Sequence, residues 1–220
     1  TGYKELSERL GVPLVNLNKD EKVKLKIENG YSLKEIFVAK TCLDRFVINV
    51  PKMKTHRMAG VTLAMKNMMG IILPYDGKNI MHPVYEKLVK TALKEKRVLT
   101  YEEFRLVRED FFRRLIDFYS VYKPELNIIE AFEAREGDGL TINFGKNVKT
   151  DYVMLSQDIP ALDYVGAYLM SVNLNKLYLN YLRGNKINRL EDIKIVSNVN
   201  VEKLKRKFKI IPLTEEIAVK

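Results

Sequence analysis

Apolar residues along the chain recur at two spacings, period two in short runs and period 3.6 in longer ones, and the two alternate. The run Phe46-Val47-Ile48-Asn49-Val50 stops at Pro51. Lys52, Lys54 and His56 then come at alternate positions, and a mostly apolar segment runs from Gly60 to Gly70 with Lys66 and Asn67 in its middle. This order predicts a strand, a polar loop over 51–60 and a helix over 61–72. In open α/β sheets ligands bind beyond the carboxyl ends of the strands, so that loop is the expected place for a site.

The other elements follow the same logic. Tyr3, Leu6 and Leu10 share a helical face and Gly11 stops it, giving a helix over 1–10; a strand is expected at 14–17. Val23, Leu25 and Ile27 alternate with Lys22, Lys24, Lys26 and Glu28 before an Asn29-Gly30 turn, the pattern of an edge hairpin with a solvated, lysine-rich face. A turn-rich stretch over 73–79 leads to His82-Pro83 and a helix over 84–96. Thr100 and Glu103 form a capping-box signature for a helix that runs to about residue 122 along Phe104, Val107, Phe111, Leu115 and Tyr119. Strands are expected at 126–132 and 152–156 around a glycine-bearing loop at 134–149, and Asp158 is placed to cap a helix over 160–171.

Beyond that lie an expected helix at 175–183, a strand at 193–197 and a helix at 201–208. The sum is a single α/β domain over 1–220: a layered, mostly parallel sheet flanked by helices, with an added antiparallel edge hairpin and a C-terminal helix-strand-helix extension at 173–220.

Charge narrows the partners. Lysine and arginine number 38 against 28 acids, a formal net charge of +10, which attracts anions over long range. An anionic small molecule, nucleic acid, an acidic protein and a membrane surface all fit that balance. The single cysteine, Cys42, excludes an intrachain disulfide framework and any iron–sulfur cluster held by this chain alone. It reads as a structural thiol. No run is long and apolar enough to span a bilayer and no signal peptide precedes the first element, so a cytoplasmic protein is expected; oligomeric state and cofactor are left open.

Gly139 and Gly145-Lys146 do not make a phosphate-binding P-loop, because five residues separate the glycines and Asn147 follows the lysine. Glu136-Gly137-Asp138-Gly139 lacks the spacing of a calcium loop and reads as a plain turn. The chain's two histidines, His56 and His82, lie in polar, turn-like contexts where spacing alone favours surface or structural roles. Lys66 is the sharper case. A lysine inside a helix apolar nearly all round must be paired, open onto a ligand crevice, or snorkel to solvent, and Thr62 one turn earlier shares its face. Its expected neighbours are Asp158 or Asp163, or a pocket shared with His56.

Several spaced motifs in this order carry a family resemblance: Pro51-Lys52-Met53-Lys54-Thr55-His56, Gly60-Val61-Thr62, Lys66-Asn67-Met68-Met69-Gly70, His82, Glu136-Gly137-Asp138-Gly139, Gly145 and Asp158-Ile159-Pro160-Ala161-Leu162-Asp163. Over 1 to about 172 the chain resembles domain-of-unknown-function family 362. The resemblance implies that an upstream strand-bearing segment is missing, so that the chain is a fragment or a shortened member. It marks both histidines and Asp163 as site positions, Asp117 more weakly, while Glu130 stands where an aspartate is usual. Some relatives carry ferredoxin-like cysteine clusters, which Cys42 alone cannot reproduce.

Together these readings expect a Lys- and His-lined site for an anionic small molecule, with metal-assisted catalysis as an extension. His56, His82 and Lys66 are the candidate catalytic groups, and Lys52, Lys54, Thr62, Asn67, Asp158 and Asp163 the ligand-binding ones. The alternatives are a nucleic-acid-binding module using the basic surface and an accessory protein in redox or metal handling.

Overall fold

The computed structural model describes residues 2–73, 80–137 and 145–210. Strands β3 (Ile48–Asn49) and β4 (Lys52–His56) lie end to end and run parallel to the same edge of β6 (Leu126–Gly137). Pro51 divides them. Its carbonyl accepts the Glu130 N–H at 2.9 Å, but a proline has no N–H to return, so one rung of the ladder is missing. The proline therefore interrupts hydrogen bonding without turning the chain, and the loop expected over 51–60 is instead a strand as far as His56. Only residues 57–59 turn, and β5 (Gly60–Thr62) returns antiparallel to β4. On the other edge of β6, β7 (Gly145–Ser156) pairs antiparallel along the strand. Strands β3, β4 and β6 share one direction and β5 and β7 oppose it, giving the mixed, mostly parallel sheet of an α/β fold.

Side chains alternate across this sheet as the pleat requires. Asn49, Met53, Asn127, Ile129 and Ala131 point to the buried face. Against it pack a four-residue helix α2 (Ala64–Asn67) and α5 (Ile159–Leu169), whose N-cap is Asp158 as expected. On the opposite face the register sets Ile128 beside Leu155 and Glu130 beside Val153. That face is open among the described residues, with Ile48, Val50, Val153 and Leu155 exposed by 50%, 57%, 46% and 65%.

Helix α4 (Tyr101–Val121) starts at the expected capping box, in which Thr100 accepts the Glu103 N–H and the Glu103 carboxylate accepts the Thr100 N–H. It is flanked by α3 (Pro83–Lys94). The lysine-rich strand β1 (Lys22–Lys26) pairs antiparallel with β2 (Glu35–Ala39) in a sheet of its own, beyond the eight-residue helix α1 (Tyr3–Leu10). What fastens this hairpin is a carboxylate on α4. Asp117 is 2% exposed and accepts the backbone N–H groups of Tyr31, Ser32 and Leu33 at 2.6, 2.7 and 2.8 Å. Gly30 permits that approach, since a side chain there would collide with the Leu33 carbonyl and crowd the Asp117 carboxyl.

Several local expectations fail. No strand forms at 14–17; a 3₁₀ turn at Leu17–Lys19 follows instead. The apolar segment 61–72 is divided into β5, α2 and a 3₁₀ turn at Met68–Ile71 rather than one helix. Much of the expected loop over 134–149 is strand, as β6 extends to Gly137 and β7 starts at Gly145; residues 138–144, with Asp138 and Gly139, lie outside the described residues, as do 74–79 and 211–220. The helix expected at 175–183 is two 3₁₀ turns, Leu174–Lys176 and Tyr178–Tyr181, and the strand expected at 193–197 has no ladder partner among the described residues. The last expected helix is reduced to a turn at Val201–Leu204.

Removing the Asp117 carboxylate leaves three amides without their acceptor. Asp117→Ala is expected to destabilise the fold by about 3 kcal/mol, each orphaned buried amide costing roughly 1–3 kcal/mol less what water recovers. Urea denaturation measures it; a loss under about 1 kcal/mol would show that the hairpin is held some other way.

Candidate functional site

A helix of four residues cannot sustain itself, and α2 is held by groups from outside it. At its start the buried Asp163 carboxylate accepts the N–H groups of Ala64 at 2.7 Å and Met65 at 2.9 Å, and the Tyr178 hydroxyl donates to it at 2.7 Å. Burial pushes the Asp163 carboxyl up to about 6, while these three hydrogen bonds pull the other way. The Asn49 amide donates to the Ala64 carbonyl at 3.0 Å and to Asn127 Oδ1 at 2.9 Å, and the Asn67 amide donates to Asn49 Oδ1 at 2.7 Å. Three asparagines thus tie α2 to the buried face of the sheet.

This clamp holds Lys66 half-buried, its Nζ 5.8 Å from the centroid of the Phe111 ring. Against the same ring lies His82, stacked at 4.9 Å with the planes 15° apart. His56 ends β4 and is 8% exposed; its Nδ1 accepts the N–H groups of Met58 and Ala59, both at 3.1 Å. An imidazole that accepts at Nδ1 while neutral carries its proton on Nε2, so His56 has one N–H donor, at Nε2.

Both imidazoles are driven towards the neutral form. Burial is the largest cause for His56, followed by the positive charges of Lys66 and Lys54, and holds it well below the usual imidazole range. Burial and then Lys66 bring His82 down to about 4, with Arg114 adding to the effect and Asp110 opposing it. Two polar atoms of the site, Thr62 Oγ1 and His82 Nδ1, are buried without a hydrogen-bond partner among the described residues.

The structure therefore brings together five of the predicted residues: Lys54, His56, Thr62, Lys66 and His82. Thr62 sits directly opposite Lys54 in the β4–β5 pair. The others are placed elsewhere. Lys52 is paired with Glu130 at 2.5 Å, and Asn67 belongs to the asparagine chain. Asp158 caps α5 by accepting the Ala161 N–H at 2.9 Å, and Asp163 has its oxygens taken by α2 and Tyr178. Of the neighbours expected for Lys66, the described contacts bring His56 and the Phe111 ring rather than Asp158 or Asp163. Sequence reasoning passed over Asn49 and Asn127, although an asparagine inside a β-branched run is a visible signal of a buried amide with a partner. It had no means of finding Phe111 or Tyr178, whose roles depend on contacts distant along the chain.

Among the described residues no group of three His, Cys, Asp or Glu side chains converges, and the His56 Nδ1 lone pair is already committed to two amides. No helix of the described residues is long and apolar enough to cross a membrane.

Among families of known proteins, one described as "Domain of unknown function (DUF362)" matches residues 1–168. No curated protein and no solved structure matches.

The neutral imidazoles give the fold a pH dependence with a definite sign. His82 is lowered from 6.5 to about 4, so between those values the unfolded chain binds a proton that the folded one refuses. Its stabilisation is complete above pH 6.5 and is lost as pH falls towards 4. Asp163, raised from 3.8 to about 6, acts with the opposite sign over much of the same window. His82→Phe retains the stack on Phe111 and removes the titration. Relative to this variant, wild type is expected to lose on the order of 3 kcal/mol between pH 6.5 and 4, at 1.36 kcal/mol per pKa unit. Parallel stability curves for the two proteins over that range would contradict the assignment.

Proposed function

Since the chain belongs to the DUF362 family, whose description assigns no chemistry, we propose that the cluster of Lys54, His56, Thr62, Lys66 and His82 binds an anionic small molecule. The observation that carries this reading is the pairing of a buried and a partly buried imidazole, both pushed neutral beside Lys66, with a buried Thr62 hydroxyl that has no partner among the described residues. An anion here would offset the cations that depress both imidazoles and give the Thr62 hydroxyl an acceptor.

The donors are of the right kind. Lys66 and Lys54 supply charge, His56 supplies its Nε2–H, and Thr62 its hydroxyl. Carboxylate and phosphate both suit such a set. A bound anion would also raise the affinity of both imidazoles for a proton, because the cations that depress them would be offset. His82, with Nδ1 open, is then the candidate general base, and Lys66 the group that stabilises developing negative charge. Binding is the primary claim and acid–base chemistry an extension of it. A metal-assisted form of that chemistry finds little support in the donor set.

Having only two histidines makes the test direct. Citrate and inorganic phosphate are titrated separately while the imidazole proton resonances are followed over pH, with calorimetry in parallel. Binding is expected to move the His82 titration upward from about 4. Lys66→Met keeps the stem over Phe111 and deletes the charge; it should preserve the fold and weaken binding at least tenfold. Equal affinity in wild type and Lys66→Met, or histidine resonances indifferent to both anions at millimolar concentration, would overturn the proposal.

A further inference from the structure

Along β6 the N–H groups of Leu126 and Glu130 donate to the carbonyls of Val47 and Pro51, so the even-numbered residues bond towards β3 and β4. Asn127, Ile129 and Ala131 therefore bond towards β7, where they are paired with Ser156, Met154 and Tyr152. It follows that the N–H and C=O groups of Val153 and Leu155 point away from β6. No backbone hydrogen bond of the described residues reaches them.

This part of the edge is also unguarded. Strand β1 carries a lysine at every second position, and farther along β7 the edge is blunted by Lys146, Lys149 and a bend at Asp151, whose φ is 57°. Tyr152 to Ser156 has no charge, proline or glycine. Facing it is 193–199, whose apolar alternation predicts a strand at 193–197. Ile193 and Ile195 are partly buried and Lys194 and Val196 exposed, so the alternation is kept although no ladder forms among the described residues. Between the two lies a cavity of about 240 Å³, walled on one side by Leu162, Val165 and Leu169 of α5. Residues from both faces of β7 line it, all five from Tyr152 to Ser156, which places it along the edge of the strand.

We propose that this cavity accepts an extended peptide, uncharged and β-branched through its middle and acidic at its ends, which adds to β7 as a sixth strand and pairs on its other side with 193–197. Lys194 is the one charged residue of the lining, so the backbone groups of the edge are the main polar features offered, and what they recognise is another backbone. The side chains of the added strand alternate between the α5 wall and the open sheet face beside Val153 and Leu155, which calls for an uncharged middle. Acidic ends suit Lys194 and the net charge of +10. That same charge opposes a second copy as the occupant. A cavity bounded on its far side by 193–199 also admits one strand more readily than the edge of another folded sheet.

The probe is a synthetic peptide, acetylated and amidated, of alternating valine and threonine between terminal glutamates. Calorimetry follows its binding and amide hydrogen exchange locates it. About one equivalent is expected to bind, and exchange of the Val153 and Leu155 amides should slow at least tenfold. Leu155→Pro removes an outward N–H and spares the β6 ladder, so it should weaken the peptide at least tenfold with the thermal midpoint little changed. Leu155→Thr keeps that N–H and should bind as wild type does. A peptide N-methylated at alternate amides makes the same test without altering the protein, and should bind at least tenfold more weakly. Lys66→Met should bind the peptide as wild type does, which separates this surface from the anion site. Absence of binding at millimolar peptide, equal binding by the methylated analogue, or unchanged exchange at Val153 and Leu155 would overturn the proposal. So would a concentration-dependent dimer in which those two amides are protected without peptide, since a second copy would then hold the edge.

Discussion

The buried carboxylate of Asp163 is the constraint on which the site depends. Four residues of helix have too few internal hydrogen bonds to persist, and α2 would fray without acceptors for the amides of Ala64 and Met65. A charged group at 1% exposure is itself unfavourable, which burial shows by raising its pKa. Three donors make it tolerable. The fold thus accepts a costly ion in the core to orient one short helix, and the direction of Lys66 follows from that orientation.

Once Lys66 is fixed over Phe111, the histidines have little freedom of state. His82 shares the same ring, and His56 is turned inward by two amides of its own turn. Both feel the ammonium through a partly dry medium, where a charge acts over a longer distance than in water. Geometry and protonation are therefore set together. The asparagine chain from Asn67 through Asn49 to Asn127 contributes differently, adding directional hydrogen bonds without adding charge.

The parts of this arrangement legible in the sequence are those determined within a few residues. The Thr100 capping box, the Asp158 cap, the face of α4 and the alternating lysines of β1 are local patterns, and they were read correctly. Pro51 misled because a proline usually ends a strand, whereas here it removes only one rung. The segment 61–72 misled because apolarity records burial but not period, and β5, α2 and the following turn each bury apolar side chains. The C-terminal 3₁₀ turns carry helical apolar spacing without enough residues to propagate. In the site, residue types within one motif pointed to Lys54, His56, Thr62 and Lys66. The partners from other elements, Phe111, Asn127 and Tyr178, had no local signature.

The separations involved bear on how the chain acquires its structure. Asp163 reaches back 99 residues to Ala64, Asp117 reaches 86 to Tyr31, and Asn127 reaches 78 to Asn49. Each tether closes a large loop, whose entropy must be lost before the hydrogen bonds return anything. Helices α4 and α5 hold their own caps and can form early, but α2 cannot be completed until α5 has docked. During synthesis, about a hundred residues must emerge after Ala64 before its acceptor exists. The Lys66 and His56 region is thus among the last parts of the molecule to become ordered, and until then its apolar stretch from Val61 to Ile72 is available to whatever else is nearby.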